Sequence, residues 1–114
     1  MQHVLIIGAG GIGNRHIRGF LKTGRVRVSV CEGLEQVALS EIDLAVIAAP
    51  ADKHISLGRT LADADVPFLL EKPLAVTMDG VAELVQEVER KKLCLRVCYV
   101  RRGSCWIQAM EKQF

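Results

Sequence analysis

A cluster of glycines stands directly behind an apolar run in the stretch VLIIGAGGIGNRH at positions 4–16. Gly8, Gly10 and Gly13 form the pattern GxGxxG where a first strand would turn sharply into a first helix. Gly8 permits the tight turn, Gly10 leaves room for a pyrophosphate beside the backbone, and Gly13 lets the helix pack closely against the sheet. The free N–H groups and the positive end of that helix favour phosphate binding. The pattern alone is a weak signal, because glycines also form ordinary turns.

Apolar runs of strand length alternate with segments of helical spacing along the chain. This alternation is typical of βαβ units and predicts an α/β fold with a doubly wound parallel sheet of the Rossmann type. Strands that are apolar throughout fit a sheet covered by helices on both faces. The predicted strands are residues 4–7, 26–30, 44–48, 66–70 and 93–100, and the predicted helices are residues 12–22, 55–61 and 81–88.

The first and last of these helices have a clear apolar face. Thr77 and Asp79 precede the last helix, and we expect them to cap its N-terminus. The residues expected on the apolar faces are Ile12, His16, Phe20 and Leu21 in the first helix and Val81, Leu84, Val85 and Val88 in the last.

The composition is that of one globular domain, with 114 residues, 50% hydrophobic and 25% charged, and a formal net charge of +2. No apolar run approaches the ~18 residues of a membrane span, and the start lacks the charged flank and cleavage site of a signal peptide. We therefore expect a cytoplasmic protein that does not bind membranes. The cysteines lack the paired spacing of a zinc site and are interpreted as buried, reduced thiols: Cys31, Cys94, Cys98 and Cys105.

Basic residues concentrate in the last quarter of the chain, at Arg90, Lys91, Lys92, Arg96, Arg101 and Arg102. Only 4% of the residues are aromatic, and acidic residues are interleaved upstream, so the pattern does not favour a nucleic-acid surface. Cations near the negative end of a helix explain positions 90–92 sufficiently. We expect neither a nucleic-acid partner nor a metal site.

Glu32 follows the second predicted strand, 19 residues beyond Gly13. A carboxylate at this position of a dinucleotide-binding fold accepts hydrogen bonds from the adenosine ribose hydroxyls. It also repels a 2′-phosphate, so the expected cofactor is NAD in preference to NADP. Two alternatives stay open: Arg25 or Arg27 could lie nearby and admit NADP, or Glu32 could be a solvated loop acid.

A second candidate site is the stretch LLEKPLAVT at positions 69–77, where an apolar strand ends in Glu71, Lys72 and Pro73. In an open parallel sheet, ligands bind beyond the carboxyl ends of the strands. We therefore expect Lys72 to project toward the place where a nicotinamide ring and a substrate hydroxyl would meet. Its ammonium could orient that hydroxyl, stabilise alkoxide charge or exchange the proton. The alternative is a surface lysine in a loop that Pro73 fixes.

Three segments, IIGAGGIGNRH, VIAAPADKH and LLEKPLA, resemble the N-terminal dinucleotide-binding domain of the Gfo/Idh/MocA oxidoreductase family, and they occur in the family's order. The resemblance implies a dinucleotide-binding domain at residues 1–103 and the start of a linking helix at residues 104–114. It implies hydride transfer between a nicotinamide cofactor and a sugar, polyol or similar small molecule, with Lys72 as the catalytic residue.

The same resemblance implies a set of cofactor-binding residues. Tyr99 and Arg101 would belong to the segment that closes the domain, and Pro73 would follow a cis peptide bond. A histidine among apolar neighbours at helical spacing, as at His16 and His54, is nevertheless more often a packed, hydrogen-bonded side chain. The implied cofactor-binding residues are Gly8, Gly10, Gly11, Ile12 and Gly13 at the pyrophosphate, Glu32 at the ribose, Ala48, Ala49 and Pro50 under the cofactor, and His54, Glu71, Lys72, Pro73 and Arg101.

The chain departs from the family pattern after Glu32, where only the nine residues GLEQVALSE precede Ile42. The family has a helix and a further strand in this interval. A linker that crosses two strand spacings and returns along a strand must span about 20–22 Å, and nine extended residues reach roughly 30 Å. We therefore expect the sheet to lack its third strand, which leaves the second strand at an edge where Arg25 and Arg27 discourage pairing with another chain.

The second departure is the end of the sequence, GSCWIQAMEKQF, after which the family's substrate domain is expected and absent. A truncated chain would leave Lys72 without a partner or an enclosed pocket. Hydride transfer needs the substrate within about 3–3.5 Å of the nicotinamide, so we expect weak or no turnover by this chain alone. Trp106, Ile107 and Met110 on an exposed last helix could pair with another subunit.

Three hypotheses remain. The first, which we favour for the biochemical class, is the NAD(P)-binding part of an oxidoreductase. The second is a nucleotide-binding or partner-assembly module without catalysis. The third is a decayed or alternatively spliced remnant that folds poorly, for which the short linker and the abrupt end are the evidence.

Overall fold

The computed structural model describes residues 2–8 and 10–98, in which strands and helices alternate along the chain. Five strands and three α-helices form the framework, and two single turns of 3₁₀ helix lie at Leu39–Glu41 and Ala51–Lys53. The elements are β1 Gln2–Ile7, α1 Gly11–Thr23, β2 Val26–Cys31, β3 Leu44–Ile47, α2 His54–Asp63, β4 Phe68–Glu71, α3 Val81–Lys91 and β5 Leu95–Cys98.

The five strands form one parallel sheet in the order β2-β1-β3-β4-β5. The predicted α/β fold with a parallel sheet is confirmed. Ile7 pairs with Cys31 on one side and with Ile47 on the other, and Ile47 in turn pairs with Leu70. The carboxyl ends of these strands therefore meet at one edge of the sheet, and the loops that follow them start side by side.

Helices cover both faces of the sheet, α1 on one face and α2 with α3 on the other. The side chains of β1 alternate between the two layers, because Leu5 and Ile7 belong to the core under α2 and α3, and Val4 and Ile6 to the core under α1. This double burial is the reason for an uninterrupted apolar run in the sequence. The core under α2 and α3 includes Leu61, Ala62, Phe68, Leu70 and Leu84.

The short linker between β2 and β3 crosses β1, as predicted, because β3 pairs with β1 on the side opposite β2. Leu34, Val37 and Leu39 of this linker pack against the core, so the linker covers part of the sheet. Residues 32–43, all of which are described, form no strand, and β2 lies at the edge of the sheet. That relatives carry an additional strand here stays a prediction.

The predicted capping of α3 is wrong. The helix begins at Val81, and Gly80 occupies the N-cap position with a φ of 77°, a left-handed conformation that glycine adopts without strain. Thr77 and Asp79 lie too early in the chain to cap it. The Asp79 N–H instead donates a hydrogen bond to the Thr77 hydroxyl at 3.3 Å, which stabilises the loop before the helix.

The residues that were expected on buried faces and are exposed include Ile12, Leu21, Val85 and Cys94. Leu21, which is 58% exposed, lies one position beyond Phe20, and on α1 that step rotates the side chain past the edge of the sheet. Cys94 precedes the edge strand β5. Cys31 is a half-buried free thiol, and the Cys98 side chain and Cys105 lie outside the described residues.

The basic end of α3 contacts neighbouring acids and carbonyls. Lys91 Nζ lies 2.9 Å from Asp65 Oδ1 and donates to the Ala62 carbonyl oxygen at 2.9 Å, which fastens α3 to the end of α2. Arg90 pairs with Glu87 along the helix. Within the part of the chain that the structure describes, no helix has the length and apolar character to cross a membrane.

Candidate functional site

Gly8 and Gly13 are required by packing at the start of the site. Gly8 is buried with a φ of +102°, and a Cβ at this position would lie 2.8 Å from backbone atoms of Ala48 and Ala49. The Gly8 N–H also donates to the carbonyl oxygen of Cys31 at 2.8 Å. A Cβ on Gly13 would overlap the Gly8 carbonyl oxygen. These two glycines therefore join the ends of β1, β2 and β3 to α1, whatever the protein binds.

Gly10 and Gly11 have no such packing reason. Apart from the adjoining backbone, no atom of the described structure lies within 4 Å of where a Cβ would stand on either residue, and the φ of −73° at Gly10 is open to any residue. Both glycines are exposed. Their absence of side chains leaves bare backbone at the surface, and this is the geometry that a ligand resting on the main chain needs.

The N-terminus of α1 offers its N–H groups to that bare surface. The helix starts at Gly11, no described side chain caps it, and its first turn contains no acidic residue. The first N–H groups of a helix have no partner inside the helix, and the helix dipole adds positive potential there. An anionic phosphate group fits this place, and the half-exposed side chain of Ile12 follows it on the helix.

A cleft of about 210 Å³ opens beside this helix start, at the carboxyl ends of β3 and β4. We call it the strand-end cleft. The Ala48 N–H donates to the Ile7 carbonyl oxygen at 2.8 Å, which holds the loop after β3 against β1. Pro50 and Pro73 are exposed, and the Lys72–Pro73 peptide bond is cis. The cleft is lined by Ile12, Ala48, Ala49, Ala51, His54, Glu71 and Lys72.

His54 is only 1% exposed and joins the two loops of the strand-end cleft. Its Nε2 lies 2.9 Å from the carbonyl oxygen of Ala49, and its Nδ1 lies 2.8 Å from the carbonyl oxygen of Pro73. A neutral imidazole carries one N–H and donates to one of these carbonyls, whereas a protonated ring donates to both. Because both ring nitrogens face the backbone, the ring supports the cleft from behind.

Glu71 is held by a second histidine. His16 Nε2 lies 2.5 Å from Glu71 Oε1, and both side chains are largely buried. Burying a carboxylate is costly unless it is paired or hydrogen-bonded, so this contact is what lets Glu71 stay in the wall of the cleft. A second hollow of about 200 Å³ lies on this side of Glu71 and is lined by Ile12, Arg15, His16 and Glu71.

Lys72 is exposed at the mouth of the strand-end cleft. Within the described residues, its ammonium makes no hydrogen bond and no ion pair, in contrast to the residues on either side of it. The backbone around Lys72 is therefore fixed while its charged end is available to a ligand. A polar contact to a bound molecule would cost no existing partner.

Glu32 lies just beyond β2 and is exposed. Burial, followed by the nearby carboxylates of Glu32 and Glu35, raises the pKa of the Cys31 thiol. Arg27 stands five residues earlier, about 17 Å away along an extended strand. Its Nη2 donates to His3 Nδ1 at 2.9 Å near the amino ends of β1 and β2, so it does not neutralise Glu32.

The sequence reasoning did not assign His16 or Arg15 to the site, although the spacing of Ile12 and His16 could have indicated it. Residues four positions apart lie on the same face of a helix, so His16 follows Ile12 toward the strand ends. Arg101 and Tyr99, predicted near the cofactor, lie outside the described residues, as do Trp106, Ile107 and Met110. Among the described residues no group of three or more His, Cys, Asp or Glu side chains could hold a metal ion.

A larger hollow of about 600 Å³ opens on the other side of Ala51. It lies between the N-terminal turns of α2 and α3 and the loop that follows Pro73. Its walls are mainly apolar and include Ile55 and Val76, and Asp52, Arg59 and Glu83 are among its charged residues.

The sequence profile of the Gfo/Idh/MocA oxidoreductase family, described as an oxidoreductase family with an NAD-binding Rossmann fold, matches residues 22–99. This range is more than half of the chain. It includes Glu32, the loop after β3 and the segment from Glu71 to Pro73. The glycine motif lies just before it, so the match and the motif are separate observations.

The matches to individual relatives extend over most of this chain but over less than half of each relative. The rhizopine catabolism protein MocA of Rhizobium meliloti is 25% identical over an alignment of 117 positions, which covers 85% of this chain and 37% of the relative. A WlbA dehydrogenase from Chromobacterium violaceum, solved with NADH and UDP-GlcNAcA, is 20% identical with a TM-score of 0.84 and matches 97% of this chain and 38% of its own. A biliverdin reductase from Synechocystis, solved with biliverdin and NADP+, is 23% identical with a TM-score of 0.80 over 96% of this chain and 42% of its own. The chain thus spans about two fifths of each, and the structural likeness supports the fold.

Proposed function

This chain belongs to the Gfo/Idh/MocA oxidoreductase family, and we propose that it is a domain that binds a nicotinamide coenzyme, NAD in preference to NADP. The observation that carries the proposal is the contrast between two pairs of glycines. Gly8 and Gly13 are explained by packing, whereas Gly10 and Gly11 leave open backbone at an uncapped helix start. A bound diphosphate gives that open surface a purpose.

The proposed binding mode places three parts of the coenzyme at three positions. The N–H groups at the start of α1 hold the pyrophosphate, with Gly10 and Gly11 allowing the close approach. Glu32, at the end of the neighbouring strand, accepts hydrogen bonds from the adenosine ribose and repels a 2′-phosphate. The nicotinamide end lies toward the strand-end cleft, where Ile12 and Ala48 provide apolar wall. When bound, the coenzyme supplies a hydride acceptor or donor.

Lys72 is the residue that acts on the substrate. Its ammonium is exposed at the cleft, where it orients a substrate hydroxyl or carbonyl and exchanges a proton with the oxygen. A positive charge at this point also stabilises negative charge that develops on that oxygen. The substrate class is a sugar, polyol or similar small hydroxyl compound, in keeping with relatives named for rhizopine catabolism and solved with UDP-GlcNAcA.

A second candidate function is coenzyme binding without turnover. The observation in its favour is that, among the described residues, the Lys72 ammonium has no hydrogen-bond or ion-pair partner, because Glu71 and His54 of the same cleft are engaged elsewhere. The family relatives are more than twice as long as this chain, so the groups that enclose their substrates need not all be here. Turnover assays with polyols and NAD, run beside binding measurements, separate the two functions.

Isothermal titration calorimetry of the chain with NADH and with NADPH tests the proposal. We expect saturable binding of NADH, weaker binding of NADPH, and competition by ADP-ribose, which carries the pyrophosphate without the nicotinamide. Circular dichroism with a cooperative thermal transition shows that the sample is folded. A folded chain that gives no heat with either coenzyme, and no competition, would refute the proposed function.

A further inference from the structure

We infer that His16 and His54 are positioning residues that hold Lys72 in place from its two flanks, His16 through the carboxylate of Glu71 and His54 through the carbonyl of Pro73. The inference rests on the proposed role of Lys72. It adds two residues that act on the lysine without contacting coenzyme or substrate. The basis is one juxtaposition: both neighbours of an unpaired lysine are anchored to different helices by histidine side chains.

The first anchor ties the end of β4 to α1. His16 Nε2 lies 2.5 Å from Glu71 Oε1, and 55 residues separate the two in the chain. Four residues before His16, on the same face of α1, stands Ile12, which lines the strand-end cleft beside the open glycines. The anchor thus connects the lysine-bearing strand end to the helix that receives the pyrophosphate. A coenzyme that settles on the start of α1 therefore meets Lys72 at a set distance.

The second anchor ties the residue after Lys72 to α2. His54 is the first residue of that helix, and its Nδ1 faces the Pro73 carbonyl oxygen at 2.8 Å. Its Nε2 faces the Ala49 carbonyl oxygen in the loop after β3, at 2.9 Å. One buried ring therefore spaces the two loops that form opposite sides of the cleft. Losing it frees both loops at once.

The arrangement fixes the backbone of Lys72 and leaves its charged end exposed. Glu71 is buried in the sheet edge and Pro73 is bound by its carbonyl, so the backbone between them has little freedom. The side chain between these fixed points is exposed and, within the described chain, has no polar partner. A side chain with a fixed root samples fewer positions, and holding a reacting group near its target accounts for a large share of rate acceleration in enzymes.

Histidines in these places could instead contribute stability alone. His3 provides the matched comparison, because it is also a buried histidine with both ring nitrogens engaged, to Ser29 and Arg27, but it lies near the amino end of β1, away from Lys72. Replacing His3 should lower stability without changing Lys72. A role in positioning predicts effects at Lys72 that exceed any change in the core.

The test is ¹⁵N relaxation of the coenzyme-free chain, with NADH affinity as a separate measurement. In the wild-type chain we expect a backbone order parameter near 0.85 at Lys72, the value of rigid backbone, and a fall toward about 0.6 in His16→Leu and in His54→Leu. The amides of Leu5 and Val46 should keep their values. His16→Gln keeps an amide donor for Glu71 and should restore most of the order, and His3→Leu should leave Lys72 unchanged.

NADH affinity should fall at least threefold in His16→Leu and recover in His16→Gln. If His54→Leu does not fold, the pair of His16 variants decides, because His16 is partly exposed and belongs to neither apolar core cluster. An unchanged Lys72 order parameter in folded His16→Leu, or a loss spread evenly over the sheet, would overturn the inference. If the variants change the Lys72 order parameter as expected but the wild-type chain binds no NADH, the proposed function is contradicted and the positioning of Lys72 is not.

Discussion

The carbonyl oxygen of Gly8 occupies the place where a Cβ on Gly13 would stand. The start of α1 therefore lies directly on the end of β1, with no space for even one methyl group. We predict that Gly13→Ala destabilises the chain by about 3 kcal/mol or more, because a backbone atom cannot yield as a flexible side chain does. Urea denaturation followed by circular dichroism measures the change. Gly19→Ala, on the exposed side of the same helix, should be neutral or stabilising.

Gly10→Val should separate binding from folding. Nothing in the described structure lies within 4 Å of a Cβ at Gly10, and its φ suits any residue, so the valine variant should fold with nearly unchanged stability. The branched side chain would nevertheless stand where the pyrophosphate approaches the backbone. We predict at least a tenfold loss of NADH affinity in calorimetry. Equal NADH affinity of the wild-type chain and Gly10→Val would mean that the diphosphate does not bind at this turn.

Glu32→Gln should change coenzyme preference. A carboxylate and a 2′-phosphate a few Å apart repel each other by about 1–4 kcal/mol, depending on solvent exposure. Removing the charge should raise the NADPH-to-NADH affinity ratio about tenfold, which corresponds to about 1.4 kcal/mol. Glu41→Gln, at another exposed acid of the same linker, is the control and should leave the ratio as it is. A ratio that changes equally in both variants would assign the effect to net charge.

Cys31 should react slowly with iodoacetamide at pH 8. Its pKa is raised by burial first and by Glu32 and Glu35 second, so less of the reactive thiolate is present at that pH. Peptide mass spectrometry should show exposed Cys94 modified faster within the same chain. Glu35→Gln removes one negative neighbour and should speed Cys31 modification about twofold, a modest gain because burial remains. Faster modification of Cys31 than of Cys94 in the unmutated chain would contradict the prediction.

Phe68→Ala should test the core under α2 and α3. Phe68 is 1% exposed, and its ring faces Gly58 of α2 at a distance that leaves a Cβ on Gly58 only 3.2 Å from the ring carbons. Truncation should cost about 3–5 kcal/mol, because the cavity lies between a helix and a strand that cannot both move. Val76→Ala, at a residue 65% exposed, should change the free energy of unfolding by less than about 0.5 kcal/mol.

The strands could be predicted from sequence because each is a local signal, and their order followed from the doubly wound arrangement that the alternation of strands and helices predicts. A run such as VLII reads as a buried strand by composition, and the turn glycines show where it ends. The doubly wound order predicted that the nine-residue linker crosses β1, and the shortness of the linker predicted that it holds no strand of its own. Helix ends were harder: α3 starts after a left-handed Gly80, and the apparent caps at Thr77 and Asp79 serve the loop instead.

The histidine contacts of the site could not be predicted in the same way. The pairing of His16 with Glu71 depends on how far α1 is rotated over the sheet and on where β4 stops, and neither quantity is written in a local pattern. His54 was expected either at the cofactor or in the packing, and its position facing two carbonyls required the register of two loops. Sequence reasoning thus located the candidate residues and left their partners to the tertiary structure.

All five strands run in one direction, and this shapes how such a chain can change over evolution. The loops that follow the carboxyl ends of the strands, where we propose that the coenzyme binds, gather on one rim, while the opposite rim holds contacts such as His3 with Ser29. Mutations that retune chemistry and mutations that erode folding therefore fall largely on different ends of the molecule. New substrates can be acquired by exchanging one rim, and lineages can drift far apart in sequence while their backbones still superpose.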